Sequence, residues 1–138
     1  MAAQNKVAIR ILLVEDHPVN KMLVKNILKR NGYHVGTAEH GLSALEILQK
    51  EAFDLIVTDI KMPVMTGLEM VSYIRNRFQY PIKNIPIIAY SAFETEYDML
   101  RARECGINEC ISKPSYPEEL LNMINKVIEK AHGIKINQ

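Results

Sequence analysis

The run Ile9-Arg10-Ile11-Leu12-Leu13-Val14-Glu15-Asp16 decides how this chain is read. Six residues are mostly apolar and partly β-branched, and the run ends abruptly on two acids. A near-continuous apolar run, rather than an alternating one, suits a strand buried on both faces of a parallel sheet. A helix comes next. Pro18 sits at its first turn, where the missing N–H costs nothing. Val19, Leu23, Val24, Ile27 and Leu28 recur at helical spacing, and Asn31-Gly32 is a stop signal.

The same unit recurs along the chain. Tyr33 to Thr37 forms a weaker strand, and Leu42, Leu45 and Leu48 mark a short helix after Gly41. Phe53 to Thr58 is a third strand, ending at Asp59. Pro63 and Gly67 bracket a loop, and Leu68, Val71, Ile74 and Phe78 trace the next helix. Ile85 to Tyr90 is a fourth strand. Glu94 to Glu104 reads as a helix with few apolar residues, closed by Gly106. Ile107 to Ile111 is a short fifth strand. Pro117 opens a last helix with Leu120, Ile124, Val127, Ile128 and Ala131 on one face. Five strand–helix units in series imply an α/β fold, with a parallel sheet covered by helices on both faces. Ligands of such sheets bind outside the carboxyl ends of the strands.

Composition narrows the function classes. With 138 residues the chain suits one domain, large enough to bury a core without disulfides or metals. Lys and Arg total 17 against 16 Asp and Glu, with no basic block, which argues against a nucleic-acid module. The apolar runs are far short of the ~20 residues a bilayer demands, and the N-terminus lacks the pattern of a signal peptide. Cys105 and Cys110 have no neighbouring His with which to build a zinc site. The expectation is a cytoplasmic protein with free thiols, binding neither nucleic acid nor membrane.

The strand ends carry the chemistry. Glu15 and Asp16 come after the first strand, Asp59 after the third, Ser91 after the fourth, and Lys113-Pro114 after the fifth. Carboxylates brought together repel, so a pKa rises unless a cation intervenes. Mg2+ is the natural cation, since it takes oxygen ligands, keeps several waters and works with phosphates. Singly, each acid reads as a turn former or cap, Ser91 as a helix cap and Lys113 as a surface lysine. Capping, however, explains neither the lysine nor the adjacent acidic pair. No phosphate-cradling glycine loop and no G-x-S-x-G elbow is present, which disfavours nucleotide binding and α/β-hydrolase chemistry. His17 reads as a helix-opening residue. Lys21, Lys25 and Lys29 fall at i, i+4, i+8, a solvated face or a dock for an acidic partner.

Five motifs in order then resemble one family. They are Leu13-Val14-Glu15-Asp16, Asp59-Ile60-Lys61-Met62-Pro63, Thr66-Gly67, Ala89-Tyr90-Ser91-Ala92 and Lys113-Pro114. The chain resembles the receiver domain of two-component response regulators over residues 8–131, leaving 1–7 and 132–138 as tails. The run Val14 to Asn20 is similar to receivers attached to hybrid histidine kinases. The resemblance implies a flavodoxin-like doubly wound fold with strand order 2-1-3-4-5. It implies Asp59 as phosphoacceptor, and Mg2+ held by Asp16, Asp59, the Lys61 carbonyl and, through water, Glu15. Ser91 and Lys113 would bind the phosphoryl group, and Pro63, Gly67 and a cis Pro114 would shape the loops. The implied partner is a histidine kinase or histidine phosphotransfer protein, with an output partner or attached domain beyond it. No turnover of an external substrate is implied. One position departs from the family pattern: Cys110 stands where Tyr or Phe usually acts as a rotating switch. The alternative is a receiver-like interaction module that works without phosphorylation. A related Mg2+ phosphatase is disfavoured, because it needs a second acid where Lys61 stands.

Overall fold

A computed structural model describes residues 8–133, so the expected tails at 1–7 and beyond 133 lie outside the described residues. All five strand–helix units form. The strands are β1 (Arg10–Val14), β2 (His34–Ala38), β3 (Leu55–Thr58), β4 (Ile87–Ser91) and β5 (Glu109–Ser112). The helices are α1 (Pro18–Arg30), α2 (Gly41–Lys50), α3 (Gly67–Arg77), α4 (Glu96–Cys105) and α5 (Pro117–His132). Every neighbouring strand pair is parallel, and the order is β2-β1-β3-β4-β5.

Alternation along the strands sorts the core into two layers. Leu12, Val14, Ile56, Ile87, Ala89 and Cys110 face α2, α3 and α4, where Leu45, Val71, Ile74 and Ala102 are buried. Ile11, Leu13, Leu55, Val57, Ile88 and Ile111 face α1 and α5, where Leu28, Leu120, Ile124 and Ile128 are buried. Each of the large aliphatic side chains contributes roughly 1.5–3 kcal/mol by leaving water.

Several expectations shift. Val19 and Leu23 share the helical stripe of α1, yet both are more than half exposed, as is Met22; only Val24 and Leu28 of α1 are buried. Leu42 likewise opens α2 on its outer side. Helical spacing marks a face but does not say what covers it. Tyr33 precedes β2 instead of starting it, because its ring is buried and its hydroxyl donates to Asn125 Oδ1 on α5 at 2.7 Å. β3, β4 and β5 begin two residues later than expected, at Leu55, Ile87 and Glu109, and Ser91, expected after β4, is its last residue. α4 begins at Glu96 because Thr95 Oγ1 caps it, accepting from Asp98 N–H at 3.2 Å. α3 ends at Arg77, with Phe78 as its extended C-cap. α5 includes residue 132, expected in the tail, and closes on Gly133.

Two glycines are required by geometry. Gly106 ends α4 at φ 115°, a left-handed conformation that costs an L-residue strain. Gly67 opens α3 so close to β3 that a Cβ there would collide with the Asp59 carbonyl. That close approach fixes the loop bearing Asp59 against the start of α3, together with a Gly67 N–H bond to Ile60 O at 2.8 Å. Between α3 and β5, the Arg75 guanidinium is a bracket that donates to the carbonyls of Lys83, Ile85 and Gly106 and to Asn108 Oδ1, at 2.7–3.0 Å.

Candidate functional site

β1 and β3 end side by side, with Val14 paired to Thr58. Glu15 and Asp16 therefore leave the sheet next to Asp59, and one oxygen from each lies within 4.8 Å of the others. Backbone bonds hold the strand ends in place: Glu15 N–H donates to Ala38 O at 3.0 Å and Asp59 N–H to Val14 O at 2.9 Å. Glu15 is 4% exposed, an uncommon burial for a carboxylate, and both its oxygens are engaged. Oε1 takes the Lys113 ammonium at 2.9 Å, and Oε2 accepts the His17 N–H at 3.1 Å. Among the described residues Asp16 has no hydrogen bond or ion pair.

Asp59 Oδ1 accepts two bonds, from Ile60 N–H at 2.6 Å and from the buried Ser91 hydroxyl at 2.5 Å. Its Oδ2 lies 3.6 Å from Lys113 Nζ. The Lys113–Pro114 peptide is cis, as the resemblance implied, and so is Tyr80–Pro81, which it did not. Lys113 N–H donates to Ser91 O at 2.8 Å, tying the ends of β4 and β5 together. Burial works against the ammonium, but the Glu15 hydrogen bond and the charges of Asp59 and Glu15 outweigh it. The Lys113 pKa thus lies above the ordinary lysine value. This is the cation that the acidic cluster calls for, though one positive charge does not balance three carboxylates.

The other sequence-read residues fall around this centre. Pro63 lies in the loop after β3, which also holds Val64 at φ 69°, a strained conformation for a β-branched residue. The Lys61 side chain reaches away to Glu94 at 2.7 Å, and both are largely exposed. Cys110 is buried on the α2–α4 face of the sheet, and burial pushes its thiol upward. His17 caps α1, with Nδ1 accepting from Asn20 N–H at 3.4 Å. The lysine stripe of α1 is not a uniform cationic face, because Lys21 pairs with Glu39 at 3.6 Å. Sequence reading placed Tyr90 in the motif before Ser91, as an aromatic neighbour of the Cys110 position, but not its contact with Lys113, whose Nζ lies 5.0 Å from the ring centroid.

The chain belongs to the response regulator receiver domain family, which it matches over residues 11–125. It is thus a receiver domain of two-component signalling, and the Glu15, Asp16 and Asp59 cluster is typical of the phosphorylation site in such domains. It is 36% identical over 104 residues to the sensor histidine kinase RcsC of Salmonella typhimurium, covering 75% of this chain and 10% of that protein. It is 30% identical over 125 residues to the chemotaxis protein CheY of Pseudomonas aeruginosa, covering 90% of this chain and 99% of that one. The chain therefore spans about a tenth of the kinase and nearly all of CheY. The receiver domain of a sensor histidine kinase from Pseudomonas aeruginosa PAO1 superimposes with a TM-score of 0.80 at 30% identity. That match covers 88% of this chain and 98% of that domain, which has a magnesium ion coordinated in its active-site cleft. Among the described residues no helix is long and apolar enough to cross a membrane.

Proposed function

We propose that residues 8–131 act as a phosphoacceptor, taking a phosphoryl group from a phosphohistidine onto Asp59. The observation that carries this reading is the convergence on Asp59 of two further carboxylates, a buried hydroxyl and a half-buried ammonium. Oδ1 is already occupied by two donors, which leaves Oδ2 as the attacking oxygen. In the transfer the Oδ2–P bond forms and the N–P bond of phosphohistidine breaks, with the electron pair leaving on the imidazole nitrogen. Little covalent work falls to the protein, and positioning with charge neutralisation does the rest.

Lys113 meets one phosphoryl oxygen as a point charge on a flexible stem, and Ser91 turns its hydroxyl from Oδ1 to another. A donor set of clustered carboxylate oxygens, short of positive charge, fits a hard divalent ion. Asp16, Asp59 and the Lys61 carbonyl would hold Mg2+ directly, and Glu15 through water. When bound, the ion offsets the charge of the carboxylates and of the incoming phosphoryl oxygens.

The exposed Val19, Met22 and Leu23 lie on α1, which begins two residues after Asp16, and Leu23 shares a groove with Lys113. They form an apolar seat for the helix of a histidine kinase or phosphotransfer protein, presenting its phosphohistidine to Asp59. A partner of that kind places the domain in the cytoplasm, as a signalling module without turnover of an external substrate. It relays to an output partner or an attached domain.

Titration with beryllofluoride, a phosphoryl mimic, tests the reading. Saturable binding that needs Mg2+ and is lost in Asp59→Asn is expected. Cys110 favours the alternative of an interaction module without phosphorylation, and absence of Mg2+-dependent binding would establish it over the phosphoacceptor.

A further inference from the structure

Tyr90 stands one residue before Ser91 in β4 and points to the opposite face of the sheet from Cys110. It pairs with Ile111 and packs into the layer under α1 and α5. Two of its contacts are specific. Lys113 Nζ lies 5.0 Å from the ring centroid, within cation–π range. The Tyr90 hydroxyl oxygen accepts from Ser115 Oγ at 3.1 Å, and Ser115 lies in the loop between β5 and α5. The same ring lines an open groove with Leu23 and Ile27 of α1 and Pro114, Pro117 and Leu120 beside it. Lys113 thus rests among three groups, two carboxylates and one neutral ring. Its long stem has many rotamers, which a ring wall restricts.

We propose that Tyr90 is a positioning residue whose ring holds Lys113 at the site and whose hydroxyl passes Lys113 displacement to the β5–α5 loop and the groove beside α1. This rests on the reading that Lys113 pairs with a phosphoryl oxygen at Asp59. Moving toward that oxygen, the ammonium leaves the ring face, and the ring and its Ser115 bond readjust. The response therefore travels to the α1–α5 side of the sheet.

The chain has six tyrosines and no tryptophan, so 3-fluorotyrosine labelling gives a spectrum in which Tyr90→Phe assigns one resonance. On adding beryllofluoride with Mg2+, the Tyr90 resonance is expected to shift. Uptake from acetyl phosphate should stay within about twofold of wild type in Tyr90→Phe, which keeps the ring. It should fall on the order of fivefold in Tyr90→Leu. In Tyr90→Phe the beryllofluoride-induced amide shift of Ser115 should drop to about half or less. A pure packing role makes Phe and Leu alike in rate and leaves the Ser115 shift intact. Either result, or an unmoved Tyr90 resonance in a wild-type protein that binds beryllofluoride, overturns the inference. If Tyr90→Leu does not fold, the Phe variant and the wild-type spectrum decide alone. No uptake by wild type would instead overturn the phosphoacceptor reading, and this inference with it.

Discussion

Replacing Lys113 with Met keeps an apolar stem of similar reach and removes the only cation touching the acidic cluster among the described residues. Its Nζ lies 2.9 Å from Glu15 Oε1 and 3.6 Å from Asp59 Oδ2. At an effective dielectric of ~20 the gross attractions are about 6 and 5 kcal/mol. Removing the ions from water takes back most of this. The lysine side chain keeps 20% exposure against 5% for Glu15, so solvent screens part of the remainder. Breaking the pair also strands a buried glutamate, and the net expected loss is ~3 kcal/mol. Urea unfolding monitored by circular dichroism, without divalent metal at neutral pH, reads it. Because the folded pKa of Lys113 lies above its ordinary 10.5, its contribution is fully present below the unfolded value. It is lost only as pH rises through the folded value. The gap between wild type and variant should therefore be flat between about pH 6 and 9 and close in stronger alkali. A loss below ~0.5 kcal/mol would mean that the pair behaves as an exposed one and that Lys113 does not hold the cluster together.

Other substitutions probe separate parts. Mg2+ affinity, measured by calorimetry, should fall more in Asp16→Asn than in Glu15→Gln, because Asp16 is unengaged while both Glu15 oxygens are taken; equal losses would count against the ranking. Arg75→Ala strips donors from three carbonyls and Asn108, and should cost ~3 kcal/mol in chemical denaturation. Val64→Asn should raise stability by ~1 kcal/mol in the same assay, because Asn tolerates the left-handed backbone that strains Val64.

The sheet was legible because β1, β3 and β4 are short, mostly apolar runs that give way to polar residues, and the site because the strand ends hold Asp59, Ser91 and Lys113. Val19 and Leu23 misled for a physical reason: periodicity is the same whether a neighbouring helix of this chain or of another protein covers the stripe. Arg75 left no signal, since most of its partners are backbone carbonyls. Tyr90 left half of one. Its parity with Ile88 in β4 places it on the α1–α5 face, but its approach to Lys113 depends on the path of the chain at Pro114. The face that Cys110 occupies is set by the sheet register, which puts it opposite Ala89, and no local pattern reveals that pairing.

Everything at this site turns on Asp59 accepting the phosphoryl group. Incubation with acetyl phosphate and Mg2+, and then intact mass spectrometry, tests it most directly. Wild type is expected to gain one phosphoryl group, and Asp59→Asn none. A variant that still gained one to the wild-type extent would show that another residue is the phosphoacceptor.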